Sequence, residues 1–373
     1  MMKKKLSVLI PDGESKFTLA VFRTLSRVDD LEIHILSNQP NLPIRYSRFC
    51  CSFTTYEPGS DAVKAILNAI QIVKADVLLP IDVPMIRLVS SHQDTFASLI
   101  SLPPLSPPET IDLAGDKGQL AKLMQAHDIP HPATVFCNEV AAEERNFSHL
   151  EYPVLLKPTI GAGGEGIILC KDFSELSQNL KAVSKPETYI VQSFVNGYDL
   201  DCSVLCENGE ILAYTIQKGI IPPAQPFAPS SGIEFLYNEK LYTAVQQLMR
   251  ALNWSGPAHI DTRYNPEKDV VKIIEINPRF WESIIGSAIA GVNIPYLASL
   301  AAMKRTLPQA DYKFKQYMRF KMLFKLLKQG LFDKSVSVPS LFESTITRYI
   351  IQDPLPELYR KFSKIFTRSS SKN

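Results

Sequence analysis

The segment VKIIEINPRFWESIIG (residues 271–286) joins a strand-like apolar run to polar side chains at its end. Because side chains alternate along a strand, Glu275 and Asn277 are predicted to share one face, with Ile274 and Ile276 on the other. Taken alone, the segment permits two interpretations. It is either a strand end whose polar groups face water, or a strand that presents two oxygen ligands.

The sequence just before this segment favours the second interpretation. Residues 259–277, HIDTRYNPEKDVVKIIEIN, predict a β-hairpin with its turn at PEKD. A hairpin places residues of its two strands opposite one another, so Asp261, Glu275 and Asn277 can converge. Carboxylate and amide oxygens are hard ligands of the kind that Mg²⁺ uses together with water and phosphate. The hairpin therefore predicts a magnesium site.

Further polar residues surround the hairpin. Pro278 ends the strand, and Arg279 then provides a cation that can meet a transferring phosphoryl group or a developing oxyanion. His259 either orients a substrate or packs against the sheet, and packing is favoured. Lys218 and Arg263 are either substrate contacts or, as long cations at strand edges usually are, solvated.

A glycine-rich loop lies earlier in the chain, in KPTIGAGGEGI (residues 157–167). Glycines let backbone N–H groups wrap a phosphate chain, and a lysine at the end of the preceding strand adds a charge. No Gly-Lys-Ser/Thr follows, so the loop is not a Walker A motif. A glycine-rich hairpin tip is the alternative for the loop alone. The residues concerned are Lys157, Gly161, Gly163, Gly164 and Gly166.

The first hundred residues alternate short apolar runs with helical patterns, which predicts a parallel sheet with helices on both faces. Its first turn, PDGESKF (residues 11–17), has one glycine where a dinucleotide fingerprint needs three. A doubly wound domain with another role is therefore favoured over a nucleotide-binding one. The proline-rich segment at residues 102–110 predicts a domain boundary.

Later segments predict individual elements. Asp116 is a predicted helix N-cap, and Asn208 with Gly209 is a predicted hairpin turn. The uncharged run from Ser283 to Met303 approaches membrane-spanning length, but glycine and proline divide it into two short helices of a buried core.

Composition bounds the function. The chain has 373 residues, which predicts two or three domains, and its net charge of +2 argues against a nucleic-acid partner. Six cysteines without CxxC spacing predict a reducing compartment, and hence a cytoplasmic location.

The C-terminal part of the chain is basic: from Asp311 onward there are 13 Lys and Arg against 5 Asp and Glu. For the basic, apolar stretch at residues 312–332, a helix packed on the catalytic domain is favoured over a membrane or partner contact.

The glycine loop, the stretch YIVQSFVNGYDLD (residues 189–201) and EINPRF occur in an order that resembles the ATP-grasp enzymes. The similarity is greatest to the branch of the carbamoyl-phosphate synthase large subunit and the small carboxylate-amine ligases, from about Asp116 to about Leu300. The resemblance implies an ATP-grasp fold, α/β and α+β, preceded by a Rossmann-like domain. The implied segments are 1–110 (Rossmann-like), 111–190 and 191–305 (the two ATP-grasp subdomains) and 306–373 (a basic, mostly helical extension).

The resemblance also implies roles for matched positions. Arg279 would be catalytic, and Asp261, Glu275 and Asn277 would hold the metal. The chain departs from the family pattern at Ser193, where a hinge glutamate is common, and at Asp261, which is a shorter ligand than usual. The implied nucleotide-binding residues are Lys117, Lys157, Gly161, Gly163, Gly164, Gln192, Ser193, Val195 and Asp199.

The function implied by the resemblance is an ATP- and Mg²⁺-dependent (or Mn²⁺-dependent) ligase. It would join a small-molecule carboxylate to an amine or a thiol through an acyl phosphate, releasing ADP and phosphate. One alternative is a carboxylase or carbamoyl-phosphate-type enzyme that uses bicarbonate. Another is a nucleotide-binding regulator without catalysis. A homodimer is possible under each of these hypotheses.

Overall fold

The computed structural model describes most of the chain. The described residues are 5–137, 143–161, 163–221, 227, 228, 230–309, 312–319, 322, 340 and 342–370. Their strands are β1 (Leu6–Ile10), β2 (Leu31–Ser37), β3 (Cys50–Thr55), β4 (Val77–Leu78), β5 (Thr134–Phe136), β6 (Val154–Pro158), β7 (Ile168–Cys170), β8 (Tyr189–Ser193), β9 (Tyr198–Glu207), β10 (Glu210–Ile221), β11 (Gly232–Leu236), β12 (Gly256–Asn265), β13 (Val270–Asn277) and β14 (Gln316–Met318). Their α-helices are α1 (Thr18–Leu25), α2 (Ala62–Val73), α3 (Val83–Ser91), α4 (Gln93–Ala97), α5 (Pro108–Gly115), α6 (Lys117–Ala126), α7 (Phe173–Ala182), α8 (Glu239–Ala251), α9 (Ile284–Ile289), α10 (Ile294–Ala302), α11 (Thr347–Gln352) and α12 (Leu355–Ser370).

The chain divides into two compact units. The first contains residues 1–108, 255–257 and 279–373, and the second contains residues 109–254 and 258–278. The chain after Pro278 thus belongs to the same unit as the N-terminal residues. The four-segment division implied by the resemblance stays a prediction.

The first unit is built on a parallel sheet with strand order β3-β2-β1-β4. All five residues of β1 are buried, as expected for the central strand of a sheet covered on both faces. The alternation of strands and helices predicted for the first hundred residues is confirmed. The assignment of these residues as a Rossmann-like domain of the ATP-grasp superfamily stays a prediction.

A buried carboxyl group lies directly after β1. The backbone N–H groups of Ile81 and Asp82 donate to the side chain of Asp12, which is only 4% exposed. Burial raises the pKa of Asp12 to about 8, against the opposing effect of these hydrogen bonds. These two hydrogen bonds join the loop after β1 to the segment that follows β4.

The uncharged run from Ser283 to Met303 forms α9 and α10, and most of their side chains are buried. The prediction of two short core helices is confirmed. Along the described stretches of the chain, no helix has both the length and the apolar content needed to cross a membrane.

The second unit contains two antiparallel sheets. The smaller has strand order β5-β8-β6-β7, and the larger includes the run β13-β12-β9-β10-β11. The predicted hairpin turn is present between β9 and β10, where Asn208 and Gly209 both have positive φ. Asp116 caps α6 as predicted, because its side chain accepts from the backbone N–H groups of Gly118 and Gln119.

The hairpin of β12 and β13 contains a β-bulge. Asp261 lies opposite Glu275, whereas the next residue, Thr262, lies opposite Ile273, so Ile274 is an extra residue on β13. The regular alternation predicted for this strand is therefore wrong at Ile274, which is only partly buried. The side chains of β13 that are buried are Val271, Ile273 and Ile276.

Two predicted segments fall partly outside the described residues. The proline-rich stretch 220–235, whose length and composition predict a lid or acceptor loop, includes residues 222–226 and 229, which are not described. Of the basic stretch 312–332, the described residues are 312–319 and 322.

Gly197 lies where the backbone leaves no space for a side chain. Its φ is +123°, and a Cβ added there would lie 1.9 Å from the carbonyl oxygen of Tyr264. We expect Gly197→Ala to lower the free energy of unfolding by more than about 2 kcal/mol, because backbone rather than a flexible side chain must move. Urea denaturation followed by circular dichroism measures the change.

Gly59 provides the matched control. Its φ is also positive, at +82°, but no atom lies within 4 Å of an added Cβ. Gly59→Ala should lower the free energy of unfolding by about 1 kcal/mol, the cost of placing an alanine at a positive φ. Equal losses for the two variants would contradict the close approach of Gly197 to β12.

Candidate active site

The three predicted metal ligands meet at the end of the β12–β13 hairpin. Asp261 and Glu275 lie opposite one another across the two strands. The Asn277 Nδ2 atom donates to the Asp261 Oδ2 atom at 3.0 Å. Because the bulge at Ile274 shifts the alternation of β13, Glu275 and Asn277 both face away from the buried side chains of that strand.

The two carboxyl groups have different proton affinities. Burial, followed by the negative charge of Asp261, raises the pKa of Glu275. Burial also acts to raise the pKa of Asp261, but the His259 imidazole and further hydrogen bonds outweigh it, and the pKa is lowered. Two such carboxyl groups in contact need a proton or a cation between them. This donor set fits Mg²⁺, whose protein ligands are mainly carboxylate oxygens.

Lys117, at the start of α6, pairs with this acidic group. Its Nζ atom lies 3.0 Å from the Glu275 Oε2 atom and donates to the carbonyl oxygen of Gly161 at 2.8 Å. The lysine thus contacts both the predicted metal ligand and the first residue of the glycine loop. The structure brings these three predicted site residues together.

Lys157, the second predicted lysine, is almost fully buried at the end of β6. Its Nζ atom donates to the Gln192 Oε1 atom at 2.6 Å, and its exposed fraction is 1%. Burial, and to a lesser extent the charge of Lys117, lower the pKa of Lys157 to about 8, although Glu275 acts in the opposite direction. Gln192 is held in turn by Thr134, to which its Nε2 atom donates.

A small cleft joins these groups. It is lined by both lysines, by Glu275 and by the glycine loop between β6 and β7. The described glycines of this loop all have positive φ, a conformation that side chains rarely adopt, so the backbone turns tightly beside the lysines. These glycines are Gly161, Gly163, Gly164 and Gly166.

The predicted hinge contains Ser193, Val195 and Asp199. Arg263 donates to the carbonyl oxygen of Val195 at 3.2 Å and to the Asp199 carboxylate at 2.8 Å. It also donates to the carbonyl oxygen of Gly197 at 2.6 Å. Arg263 is therefore not simply solvated, because it holds the hinge loop in place, and a contact with substrate stays a prediction.

Ser193 also has a structural partner. Its Oγ atom accepts from the backbone N–H of Glu151 at 3.2 Å, and its own N–H donates to the carbonyl oxygen of Ala133. The serine that replaces the common hinge glutamate therefore ties β8 to neighbouring backbone. Its contact with a nucleotide stays a prediction.

Asp201 and His259 extend the acidic group on the other side of Asp261. Within the described part of the chain, ligand atoms of these three residues lie within 4.8 Å of one another. The His259 Nε2 atom is 3.0 Å from the Asp261 Oδ1 atom, and its Nδ1 atom is 2.8 Å from the Ser203 Oγ atom. His259 is thus largely buried on the sheet, in contact with Ser203 of the neighbouring strand, and a role in orienting a substrate stays a prediction.

The sequence analysis missed Asp201. The signal was available in DLDCS, where Asp199, Asp201 and Ser203 alternate along β9 and therefore share one face. That β9 lies beside β12 is a tertiary fact, however, and only this pairing brings Asp201 to His259.

Arg279 belongs to the first unit. Its guanidinium lies 3.9 Å from the centroid of the Phe17 ring, and its Nε atom is 3.6 Å from the Asp82 Oδ1 atom. An aromatic face and a carboxylate hold the guanidinium plane in place. In sequence, Arg279 follows Asn277, a predicted metal ligand, by two residues.

Residues 114–283 match the family model of the ATP-grasp domain. This segment is an ATP-grasp domain. The resemblance inferred from the sequence is confirmed, and the match includes every predicted nucleotide-binding, metal-binding and catalytic residue. The ATP-grasp domain does not include the first hundred residues, whose role is not identified by this match.

Known proteins share this domain over part of their length. The chain is 25% identical over 211 residues to the carbamoyl phosphate synthase large chain of Corynebacterium glutamicum. The match covers 54% of this chain but only 19% of that protein. The chain therefore corresponds to a small part of this relative, and the activity of the whole relative is not transferred to it.

Solved structures share the fold over a greater length. The N5-carboxyaminoimidazole synthetase of Staphylococcus aureus, complexed with ADP, has a TM-score of 0.66 at 14% identity, covering 88% of this chain and 87% of that one. The biotin carboxylase domain of 2-oxoglutarate carboxylase from Hydrogenobacter thermophilus, with MgADP, ADP and bicarbonate, has a TM-score of 0.64 at 18% identity, covering 85% and 75%. At these identities, the likeness establishes the fold alone.

Lys157 provides a test of nucleotide binding at the cleft. We expect Lys157→Met to weaken binding of MgADP at least about tenfold, because the cation predicted to contact phosphate is lost while the buried volume is kept. Isothermal titration calorimetry measures the change. The control is Lys171→Met, which alters an exposed lysine after β7. Similar losses in both variants would contradict a specific role for Lys157.

The pKa of Lys157 predicts how this affinity varies with pH. Because the pKa is about 8 in the free protein, raising the pH from about 7 to about 9 removes the positive charge before nucleotide binds. The affinity of the unaltered protein for MgADP should therefore fall over this range. The affinity of Lys157→Met should show a smaller dependence in the same titrations.

Proposed function

We propose that the protein is an ATP- and Mg²⁺-dependent ligase that activates a small carboxylate as an acyl phosphate and transfers the acyl group to an amine. The observation that supports this most directly is the convergence of Lys117, Lys157, the glycine loop and Glu275 on one cleft. Cations and backbone N–H groups are the partners of a phosphate chain, and carboxylates are the partners of its metal ion.

The lysines and the glycine loop would bind and orient the phosphates. Lys117 already contacts both the Glu275 carboxylate and the carbonyl oxygen of Gly161. When nucleotide binds, a phosphate oxygen would take the place of one of these two oxygen partners. Lys157 would contribute a cation that is already buried in the free protein, so little water has to leave its ammonium group when the nucleotide binds. Charge interactions at such a site are stronger than in water, which favours neutralisation of the transferring phosphoryl group.

Asp261, Glu275 and Asn277 would hold magnesium, which supplies positive charge that stabilises the transferring phosphoryl group. The raised pKa of Glu275 agrees with this role, because the carboxylate lacks sufficient compensating charge in the free protein. His259 would orient Asp261 through their 3.0 Å contact. Asp261 is a shorter ligand than the family commonly has, and its position depends on this support.

Arg279 would act in the second half of the reaction. When the amine attacks the acyl phosphate, a tetrahedral carbon with a negatively charged oxygen forms before phosphate leaves. A guanidinium that is permanently charged and held by Phe17 and Asp82 can stabilise this oxyanion without moving far.

A bicarbonate-using reaction is the second candidate. The structure neighbour from Hydrogenobacter thermophilus is described with bicarbonate, which is itself a small carboxylate. The same phosphoryl transfer would then give a carboxyphosphate, and attack by an amine would give a carbamate. The two reactions differ in the carboxylate rather than in the nucleotide site.

The products provide a test of the chemistry. We expect ADP and phosphate rather than AMP and pyrophosphate, because attack at the terminal phosphorus is the route to an acyl phosphate. The protein is incubated with ATP, Mg²⁺ and pools of carboxylates and amines, and nucleotides are separated by chromatography. Parallel reactions omit the carboxylates, the amines or bicarbonate.

Each outcome has a distinct meaning. ADP formed only with both a carboxylate and an amine supports ligation, whereas ADP that requires bicarbonate supports the second candidate. AMP with pyrophosphate contradicts the acyl-phosphate route. Nucleotide binding without turnover in any pool favours a non-catalytic regulator.

Glu275 provides the test of the metal site. We expect Glu275→Gln to lower turnover about a thousandfold or more while the protein stays folded, because the change removes a ligand charge and keeps the shape. Circular dichroism and a thermal melting curve verify that the variant is folded, and some loss of melting temperature is expected because Lys117 loses its anionic partner.

The matched control for this variant is Glu267→Gln, an identical chemical change in the exposed turn of the same hairpin. Its turnover should be unchanged within about twofold. Near-normal turnover of Glu275→Gln at saturating substrate would mean that the metal lies elsewhere.

A further inference from the structure

The C-terminal part of the first unit exposes an unusual number of apolar side chains. Five large ones lie within 21 residues of sequence, and each is more than two fifths exposed. Three of them lie on α12 at spacings of three and four residues, which places them on one side of the helix. The five are Phe342 (53%), Ile351 (62%), Leu355 (54%), Leu358 (45%) and Phe362 (57%).

Among the described side chains of α12, Glu357 and Tyr359 make contacts with the rest of the first unit. Glu357 is 6% exposed and forms an ion pair with Arg23 of α1 at 2.7 Å. Tyr359 stacks on Tyr46, with 4.4 Å between the ring centroids. An ordinary surface helix has the opposite arrangement, with its apolar side inward and its charges in water. α12 is thus anchored by an ion pair and an aromatic contact, and its apolar side faces outward.

The acidic groups of this region are paired within the protein. Glu357 is paired with Arg23, Glu343 with Lys315 at 3.6 Å, and Asp353 accepts from the backbone N–H of Arg48 and the hydroxyl of Ser47. The exposed side chains Arg348 and Lys361 are basic. In sequence, the excess of basic residues continues through the chain from Asp311 onward.

We propose that the outward side of α12, formed by Leu355, Leu358 and Phe362 with the basic residue Lys361, binds the surface of an anionic phospholipid bilayer, with the exposed side chains Phe342 and Ile351 close to it in sequence. Aromatic and aliphatic side chains enter the boundary between headgroups and acyl chains, and basic side chains attract anionic lipid. A second copy of the chain is a poorer partner, because it would place like charges opposite one another. The inference is independent of the proposed ligase function.

Vesicle sedimentation tests this proposal with the full-length protein. The probes are vesicles of phosphatidylcholine alone and of phosphatidylcholine with about 30% phosphatidylglycerol. We expect binding to the anionic vesicles only. Raising the salt from about 0.1 M to about 0.5 M should weaken it several-fold, because charge attraction to the lipid is screened.

Two variants separate the contributions to binding. Leu358→Glu with Phe362→Glu should reduce the bound fraction at least about tenfold, since apolar area is lost and negative charge is added. The matched control is Ile72→Glu with Leu99→Glu, which alters exposed apolar residues of the same unit (63% and 53% exposed) outside this face. The control should bind anionic vesicles as the unaltered protein does.

Other outcomes would overturn the proposal. Equal binding to both kinds of vesicle, or equal loss in the two double variants, would mean that this face has no specific role. Absence of vesicle binding together with a dimer in sedimentation velocity that Leu358→Glu with Phe362→Glu dissociates would identify a second copy as the occupant. Circular dichroism melting curves verify that both double variants are folded.

Discussion

The candidate site depends on two carboxyl groups held in contact at the end of one hairpin. Asp261 and Glu275 repel each other when both are ionised, so the protein must supply positive charge or a proton at that point. Lys117 provides positive charge from α6, and the His259 imidazole of β12 lies 3.0 Å from Asp261. The same lysine donates to the carbonyl oxygen of Gly161, so the hairpin and the glycine loop share one cation. In the proposed complex, a metal cation would neutralise the two carboxylates, and the phosphate chain would pair with Lys117.

Much of this arrangement follows from the sequence because it depends on local order. Capping at Asp116, the turn at Asn208 and Gly209, and the pairing of Asp261 with Glu275 are all determined by residues close in the chain. The glycine loop and EINPRF are short local motifs, and their order along the chain is enough to indicate the ATP-grasp domain.

The rest depends on contacts between distant residues. Asp201 meets His259 only because β9 and β12 are neighbours, and Arg263 reaches the hinge across nearly seventy residues of sequence. Such pairings depend on sheet order, which hydrophobic periodicity does not specify. The outward apolar side of α12 is also beyond prediction from sequence, because the amphipathic pattern shows which residues share a side but not which side faces the protein.

The bulge in β13 has a consequence for chain length. Glu275 lies two positions after Ile273 in the sequence. In a regular strand, with no bulge, the Glu275 side chain would therefore face the same buried side as Ile273. Removing Ile274 would instead leave Val271, Ile273 and Ile276 in strict alternation with Lys272, Glu275 and Asn277. A one-residue deletion usually inverts the rest of a strand. Deleting Ile274 instead leaves inside and outside as they are, so the hairpin can be one residue shorter and still place Glu275 and Asn277 on the side opposite its buried residues.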